Sequence, residues 1–282
     1  MNHAIEIKGL EKHYKGFDLG LDLELPSGCI LGLIGENGAG KTTVIKCILG
    51  MTRPSAGSIR VLGHEQDKDF YKIREDIGVV LDVTAFPETL TPRQIGKVMA
   101  GVYKNWDAAV YARHLQHLNV PEEKPFKDLS RGNRMKVSIS VALSHHPKLL
   151  ILDEPTSGLD PVVRDEVVNM LLDFTRDEDH SILISSHIVS DLEKLCDYIV
   201  FLKQGRRMLF EEKDRLLEEY CLVQCSAQEL AAIDPSAVKG KRETAYGISA
   251  LVLRAAVPAG MITAPVSIEE LFILMASSDH HR

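Results

Sequence analysis

The 282-residue chain is long enough for one large core or two smaller ones, and its 45% hydrophobic and 26% charged composition is ordinary for a soluble globular protein. A formal net charge of -7 argues against a broad nucleic-acid surface, because a phosphate backbone is held by surplus Lys and Arg. Five scattered cysteines and no secretory segment at the start predict reduced thiols in a cytosol, with Cys221 and Cys225 simply packed in a strand.

Residues 4–8 are predicted as a first strand, and Leu19, Leu21, Leu23 and Leu25 alternate with polar residues and glycine as a half-buried strand does. Between them Lys12-His13-Tyr14-Lys15-Gly16-Phe17 places aromatic rings in a turn. Such rings either pack on the fold or stack on a purine base. A buried-strand run over residues 29–34 then leads into residues 35–42, which read GENGAGKT. The spacing fits GxxxxGK[ST], a loop whose successive backbone N–H groups point at the phosphates of a nucleotide. Gly35, Gly38 and Gly40 permit close approach and positive φ, Lys41 reaches the outer phosphates, and Thr42 holds Mg²⁺. A helix over residues 42–49, stopped by Gly50, puts those phosphates at a helix N-terminus.

Residues 58–62 and 77–81 read as further strands, the second closed by Asp82 at a strand end where ligand-facing residues of α/β sheets lie. The pattern then turns helical to about Pro147. Thr91-Pro92 starts one helix, Asp107 caps a second, and Ser130 caps a third running to about His146. Residues 149–154 read LLILDE, an apolar strand ending in two carboxylates. Paired with the upstream loop, Asp153 orders the Mg²⁺ shell and Glu154 polarises the attacking water; alone, either is a solvated strand end. Asp160-Pro161 starts a helix with an apolar stripe at Val163, Val167, Met170, Leu171 and Phe174. A buried strand over 181–185 precedes His187, which is either structural or a donor to a γ-phosphate.

Strands over 198–203 and 206–210 flank a Gln204-Gly205 hairpin turn, and a charged helix over about 211–220 makes a boundary. Beyond it, residues 222–226 and 250–257 are predicted strands, and Ser267 with Glu270 forms a capping box for a helix over 268–275. The mainly apolar stretch 248–266 is broken by Arg254, Pro258, Gly260 and Pro265, which argues against a membrane span.

In this order the motifs resemble the ATP-binding cassette of ABC transporters, specifically subunits encoded apart from their membrane domains. The resemblance rests on GENGAGKT at 35–42, LSRGN at 129–133, LLILDE at 149–154, SGLD at 157–160, and His187. It implies an α/β P-loop NTPase fold: an ABC-type nucleotide-binding domain over 1–215, with a helical subdomain over about 83–146, and a small α+β accessory domain over 216–282. It implies Tyr14 as the adenine-stacking residue and Gly35, Asn37, Gly38, Ala39, Gly40, Lys41, Thr42 and Thr43 around the phosphates. Mg²⁺ would sit on Thr42 and Asp153, with Asp82 as a further oxygen. Glu154 would be the catalytic base, with Lys41 and His187 acting at the γ-phosphate. Ser130, Gly132 and Asn133 would cap ATP held by a second cassette, identical or related, with Asp160 in the dimer-interface loop.

The implied partners are ATP, that second cassette and a separate membrane permease at whose cytoplasmic face the chain would sit; no nucleic acid is expected. The C-terminal piece is similar to those of some exporter-type cassettes, which implies export. Asp82 stands where the family usually has Gln, and Arg131 and Asn133 where it has Gly and Gln. Two rivals are a cassette regulating translation or DNA repair and a nucleotide-gated module with weak turnover.

Overall fold

The structure, a computed structural model, describes residues 2–67, 70–81, 86–244 and 247–278; Asp82 lies outside them. It divides into two compact units, Met1–Leu209 and Phe210–Arg282. The first is built from β1 (His3–Tyr14), β2 (Phe17–Pro26), β3 (Ile30–Ile34), α1 (Lys41–Ile48), β4 (Ala56–Val61), β5 (His64–Glu65), β6 (Ile77–Val80), α2 (Pro92–Met99), α3 (Ala108–His117), α4 (Arg131–Leu143), β7 (Leu149–Asp153), α5 (Pro161–Phe174), β8 (Ser181–Ser186), α6 (Val189–Leu195), β9 (Tyr198–Lys203) and β10 (Arg206–Glu212). The second holds α7 (Lys213–Glu219), β11 (Tyr220–Cys225), α8 (Ala227–Leu230), β12 (Val238–Thr244), β13 (Gly247–Leu253), β14 (Thr263–Ala264) and α9 (Ile268–Ser278).

Ten strands form one sheet in the order β5-β4-β1-β2-β10-β9-β3-β8-β7-β6. Strands β6, β7, β8, β3 and β9 run parallel, and every residue of β3, β7 and β8 is buried. Those uninterrupted apolar runs suit a parallel sheet covered on both faces. β1 pairs antiparallel with β2 and β4, and the predicted alternation of β2 holds, with Leu19, Leu21, Leu23 and Leu25 all buried. At the Gln204-Gly205 turn both residues have positive φ, 46° and 76°, as a two-residue type I′ hairpin requires.

The helix starts follow their caps. Thr91 and Gln94 close a capping box, Asp107 accepts from Ala109 and Val110, Ser130 from Asn133, and Asp160 from Val162 and Val163. Each satisfies N–H groups that the first helical turn leaves open.

In the second unit the sheet order is β12-β13-β11-β14. Cys221, Val223 and Cys225 alternate on one face of β11 with Ala250 and Val252 of β13, Ile233 and Ala237. All five cysteines are free thiols. α9 packs on β12 and β13 with Ile268, Leu271 and Leu274 buried, and its capping box is present: Ser267 N donates to Glu270 Oε2 at 3.1 Å and Glu270 N to Ser267 Oγ at 3.2 Å. The strand predicted over 250–257 is β13, shifted to Gly247–Leu253, because residues Arg254–Ala256 form a 3₁₀ turn. β12 falls on a stretch with no strand expectation. No helix among the described residues is long and apolar enough to cross a membrane.

Candidate active site

Parallel registry brings three strand ends to one edge of the sheet. Ile34 of β3 lies opposite Ser186, and Asp153 of β7 opposite Ser185. The loop 35–42, the Asp153-Glu154 pair and the segment 185–187 therefore meet at the carboxyl ends of the strands, where open α/β sheets hold ligands.

The loop is shaped by crowding as much as by flexibility. Gly40 caps α1 at φ 110°, and a Cβ there would come within 3.0 Å of both Phe17 and Leu19. At Gly35 a Cβ would lie 2.5 Å from the Leu202 carbonyl oxygen and 2.9 Å from Ala39 Cβ, so Gly35 and Ala39 build the loop from behind. The front encloses a cavity of about 290 Å³ lined by Phe17, Asn37, Gly38, Gly40, Thr43 and Glu154, together with Lys41 and Thr42. Lys41 is 6% exposed; its Nζ donates to the Gly35 carbonyl at 2.6 Å and lies 3.1 Å from Glu154 Oε1. A buried ammonium needs such compensation. It is also a charge already placed for phosphate oxygens.

Asp153, 2% exposed, uses both oxygens: Oδ2 accepts from Thr42 Oγ1 at 2.8 Å and Oδ1 from Ser185 Oγ at 2.6 Å. Glu154 turns the chain with φ 53°, in the left-handed region that costs a non-glycine residue about 1–3 kcal/mol. Its N–H donates to Ser185 O and Ser185 Oγ, both at 3.1 Å, which holds that turn. The Glu154 carboxylate then reaches Lys41 with one oxygen and His187 with the other, Oε2 lying 2.6 Å from Nδ1 and accepting from the His187 N–H at 3.3 Å.

Thr42 and Asp153 are hard oxygen donors side by side, which suits Mg²⁺, an ion that takes one or two protein oxygens and completes its shell with phosphates and water. Among the described residues no group of three or more His, Cys, Asp or Glu could cage a metal on its own. The suggested further oxygen, Asp82, lies outside the described residues.

Tyr14 sits opposite Phe17 at the end of the β1–β2 hairpin, half exposed, with Lys12 Nζ 5.2 Å from its ring centroid. Phe17 lines the cavity and Tyr14 does not. Ser130, Gly132, Asn133 and Asp160 also lie off the cavity, at the abutting N-termini of α4 and α5. There a Cβ on Gly132 would meet Val163 at 3.2 Å, and one on Gly158 would meet the Arg131 guanidinium at 2.8 Å. The residue that sequence reading missed is Ser185. Its only signal was two hydroxyls, Ser185 and Ser186, ending a fully buried strand.

A lysine-bearing phosphate loop facing a Thr–Asp pair and a poised glutamate is the equipment of a phosphate-loop nucleotide hydrolase. A family model described as ABC transporter matches residues 19–157. The bacitracin transport ATP-binding protein BcrA of Enterococcus faecalis is 32% identical over 211 residues, 73% of this chain and 68% of that protein. The Nod factor export ATP-binding protein I of Rhizobium leguminosarum bv. viciae is 32% identical over 239 residues, 82% of this chain and 76% of that protein. In fold alone, the chain is similar to a dimeric ATP-binding cassette in a post-hydrolysis state bound to ADP and Pi, with TM-score 0.66 and 20% identity over 74% of this chain and 98% of that one. The chain belongs to the ATP-binding subunits of ABC transporters, and it is an ATPase.

Proposed function

We propose that this chain powers export through a separate membrane permease, two cassettes closing on ATP and reopening after its hydrolysis. The observation that carries the chemistry is Glu154, held between Lys41 at 3.1 Å and His187 at 2.6 Å on the wall of the phosphate cavity. Support for export comes from the names of two relatives, one of bacitracin transport and one of Nod factor export.

On this reading the loop N–H groups and the α1 N-terminus bind the phosphates, and Lys41 moves from Glu154 to the outer phosphate oxygens. Glu154, released from Lys41, accepts a proton from the attacking water. On this reading His187 Nδ1 donates to Glu154, which leaves Nε2, when it too carries a proton, to donate to a γ-phosphate oxygen. Thr42 and Asp153 would hold Mg²⁺, which supplies charge neutralisation on the transferring group. Tyr14 stacks on the adenine from the open side of the hairpin.

Ser130, Gly132 and Asn133 cap the ATP of a second cassette, and Asp160 faces that neighbour; likeness in fold to a dimeric cassette supports this arrangement. The accessory unit serves as a structural cap or dimer contact, and the whole works peripherally at the cytoplasmic face of the membrane. The test is Glu154→Gln. It is expected to bind ATP, to hydrolyse it at a small fraction of the parent rate, and to run as a dimer on sizing in ATP. Unchanged turnover would remove Glu154 from its role, and a monomer in ATP would remove the two-cassette reading.

A further inference from the structure

A second cavity, of about 650 Å³, lies in the first unit at the other edge of the sheet. Leu143, His146 and Pro147 on its wall precede β7, and Phe174 and His180 precede β8, so it sits at the amino ends of strands whose carboxyl ends build the active site. Its volume is within the roughly 300–1,000 Å³ usual for small-molecule sites.

Two helix faces form its sides. On α3, Arg113 and His117 are four residues apart and His114 and His117 three, which sets all three on one face. On α5, Glu166, Asn169, Met170 and Asp173 follow the same spacing. The side chains of Arg113, His114 and His117 have no hydrogen-bond or ion-pair partner among the described residues. The two carboxylates are already matched, Glu166 by Lys136 Nζ at 2.5 Å and Asp173 by Arg176 at 2.8 Å. His146 is held at 3.5 Å from Asp107. The uncompensated charge facing the cavity is therefore positive. One wall is flat and aromatic: Phe174 and His180 stack with centroids 4.4 Å apart and planes 8° from parallel, and His180 Nδ1 donates to the Phe174 carbonyl at 2.9 Å.

We propose that this cavity binds a small aromatic carboxylate, its carboxylate on Arg113, His114 and His117 and its ring against the Phe174–His180 wall. Planar charge on a guanidinium and ring on ring are the contacts each group makes best. Nothing in this assignment depends on the export reading. Burial, and then the neighbouring Arg113 and His117, hold the His114 pKa below its ordinary value. An anion opposes those effects, so binding takes up a proton and strengthens as pH falls through the imidazole range.

The experiment follows the histidine ring signals of the full chain by NMR while titrating benzoate, with benzyl alcohol and inorganic phosphate as parallel probes. Benzoate is expected to shift His114, His117 and His180 saturably, and to bind at least about tenfold more tightly than either of the others. Arg113→Gln/His114→Gln/His117→Gln should lose at least about tenfold in benzoate affinity, whereas Asp173→Asn should gain affinity, an opposite sign that damage to folding cannot mimic. Affinity should be higher near pH 6 than near pH 8. Unmoved histidine signals, equal binding by the triple variant, equal binding of benzyl alcohol or phosphate, or the reverse pH trend would each overturn the assignment.

Discussion

Ser185→Ala removes a single oxygen from the middle of the active site. Ser185 is fully buried; its hydroxyl donates to Asp153 at 2.6 Å and accepts from the Glu154 N–H at 3.1 Å. Glu154 N keeps its second partner, the Ser185 carbonyl, also at 3.1 Å. The loss is therefore one charge-assisted bond to a buried carboxylate, worth about 1.5–3 kcal/mol. For a domain near this size each kcal/mol moves the melting temperature by about 2–4 °C, so a fall of roughly 3–12 °C is expected. Among the described residues the Asp153 carboxylate then keeps only its bond to Thr42, and ATP turnover should drop by at least about tenfold. Scanning calorimetry of the full chain and steady-state phosphate release measure the two effects. A variant within about 0.5 kcal/mol of the parent and with full turnover would refute the claim that this hydroxyl organises the Asp153 carboxylate and the Glu154 turn.

If Tyr14 carries the adenine, Tyr14→Ala weakens ATP binding by about 5- to 150-fold in calorimetric titration, the 1–3 kcal/mol of one stacked base; a larger loss in Phe17→Ala would transfer that role to the ring lining the cavity. Gly240→Val places a Cβ 2.2 Å from the Leu274 carbonyl oxygen, so α9 and β12 must shift apart locally at a cost of about 1–3 kcal/mol. Hydrogen exchange should speed in α9 while ATPase activity stays at the parent level, and a protected α9 would contradict the packing. His145 is fully buried with Nδ1 donating to the Glu75 carbonyl at 2.9 Å, its ring stacked 4.0 Å from Tyr103, and burial lowers its pKa. The folded chain thus gives up a proton that the unfolded chain retains, so its stability is whole above about pH 6.5 and declines as pH falls below it. His145→Gln should flatten that slope in urea titrations at stepped pH; an unchanged slope would exclude His145 as its source.

The chemistry of the loop was readable because only glycine tolerates the contacts at Gly35 and Gly40, and only a lysine following them reaches phosphate. The Asp153-Glu154 pair was readable because two carboxylates end an otherwise apolar run. Caps at Thr91, Asp107, Ser130 and Asp160 were readable because short polar side chains before helical periodicity have one efficient use there. Ser185 was not, since a serine in a strand carries no mark of which carboxylate its hydroxyl meets across the ladder. Nor was β12, whose Lys241, Arg242 and Glu243 are exposed at a sheet edge and break the alternation by which strands are recognised. That Phe17, and not its cross-strand partner Tyr14, lines the phosphate cavity was not legible either, since composition does not encode which ring of a paired turn meets the loop.

The contact between Arg131 and Gly158, with Gly132 against Val163, joins two segments that lie far apart along the chain. A bulky guanidinium wedged over a glycine leaves little room for one segment to slide past the other. The starts of α4 and α5 therefore form one joined lip, and a side chain added at Gly132 or Gly158 would have to displace a neighbour from the other segment.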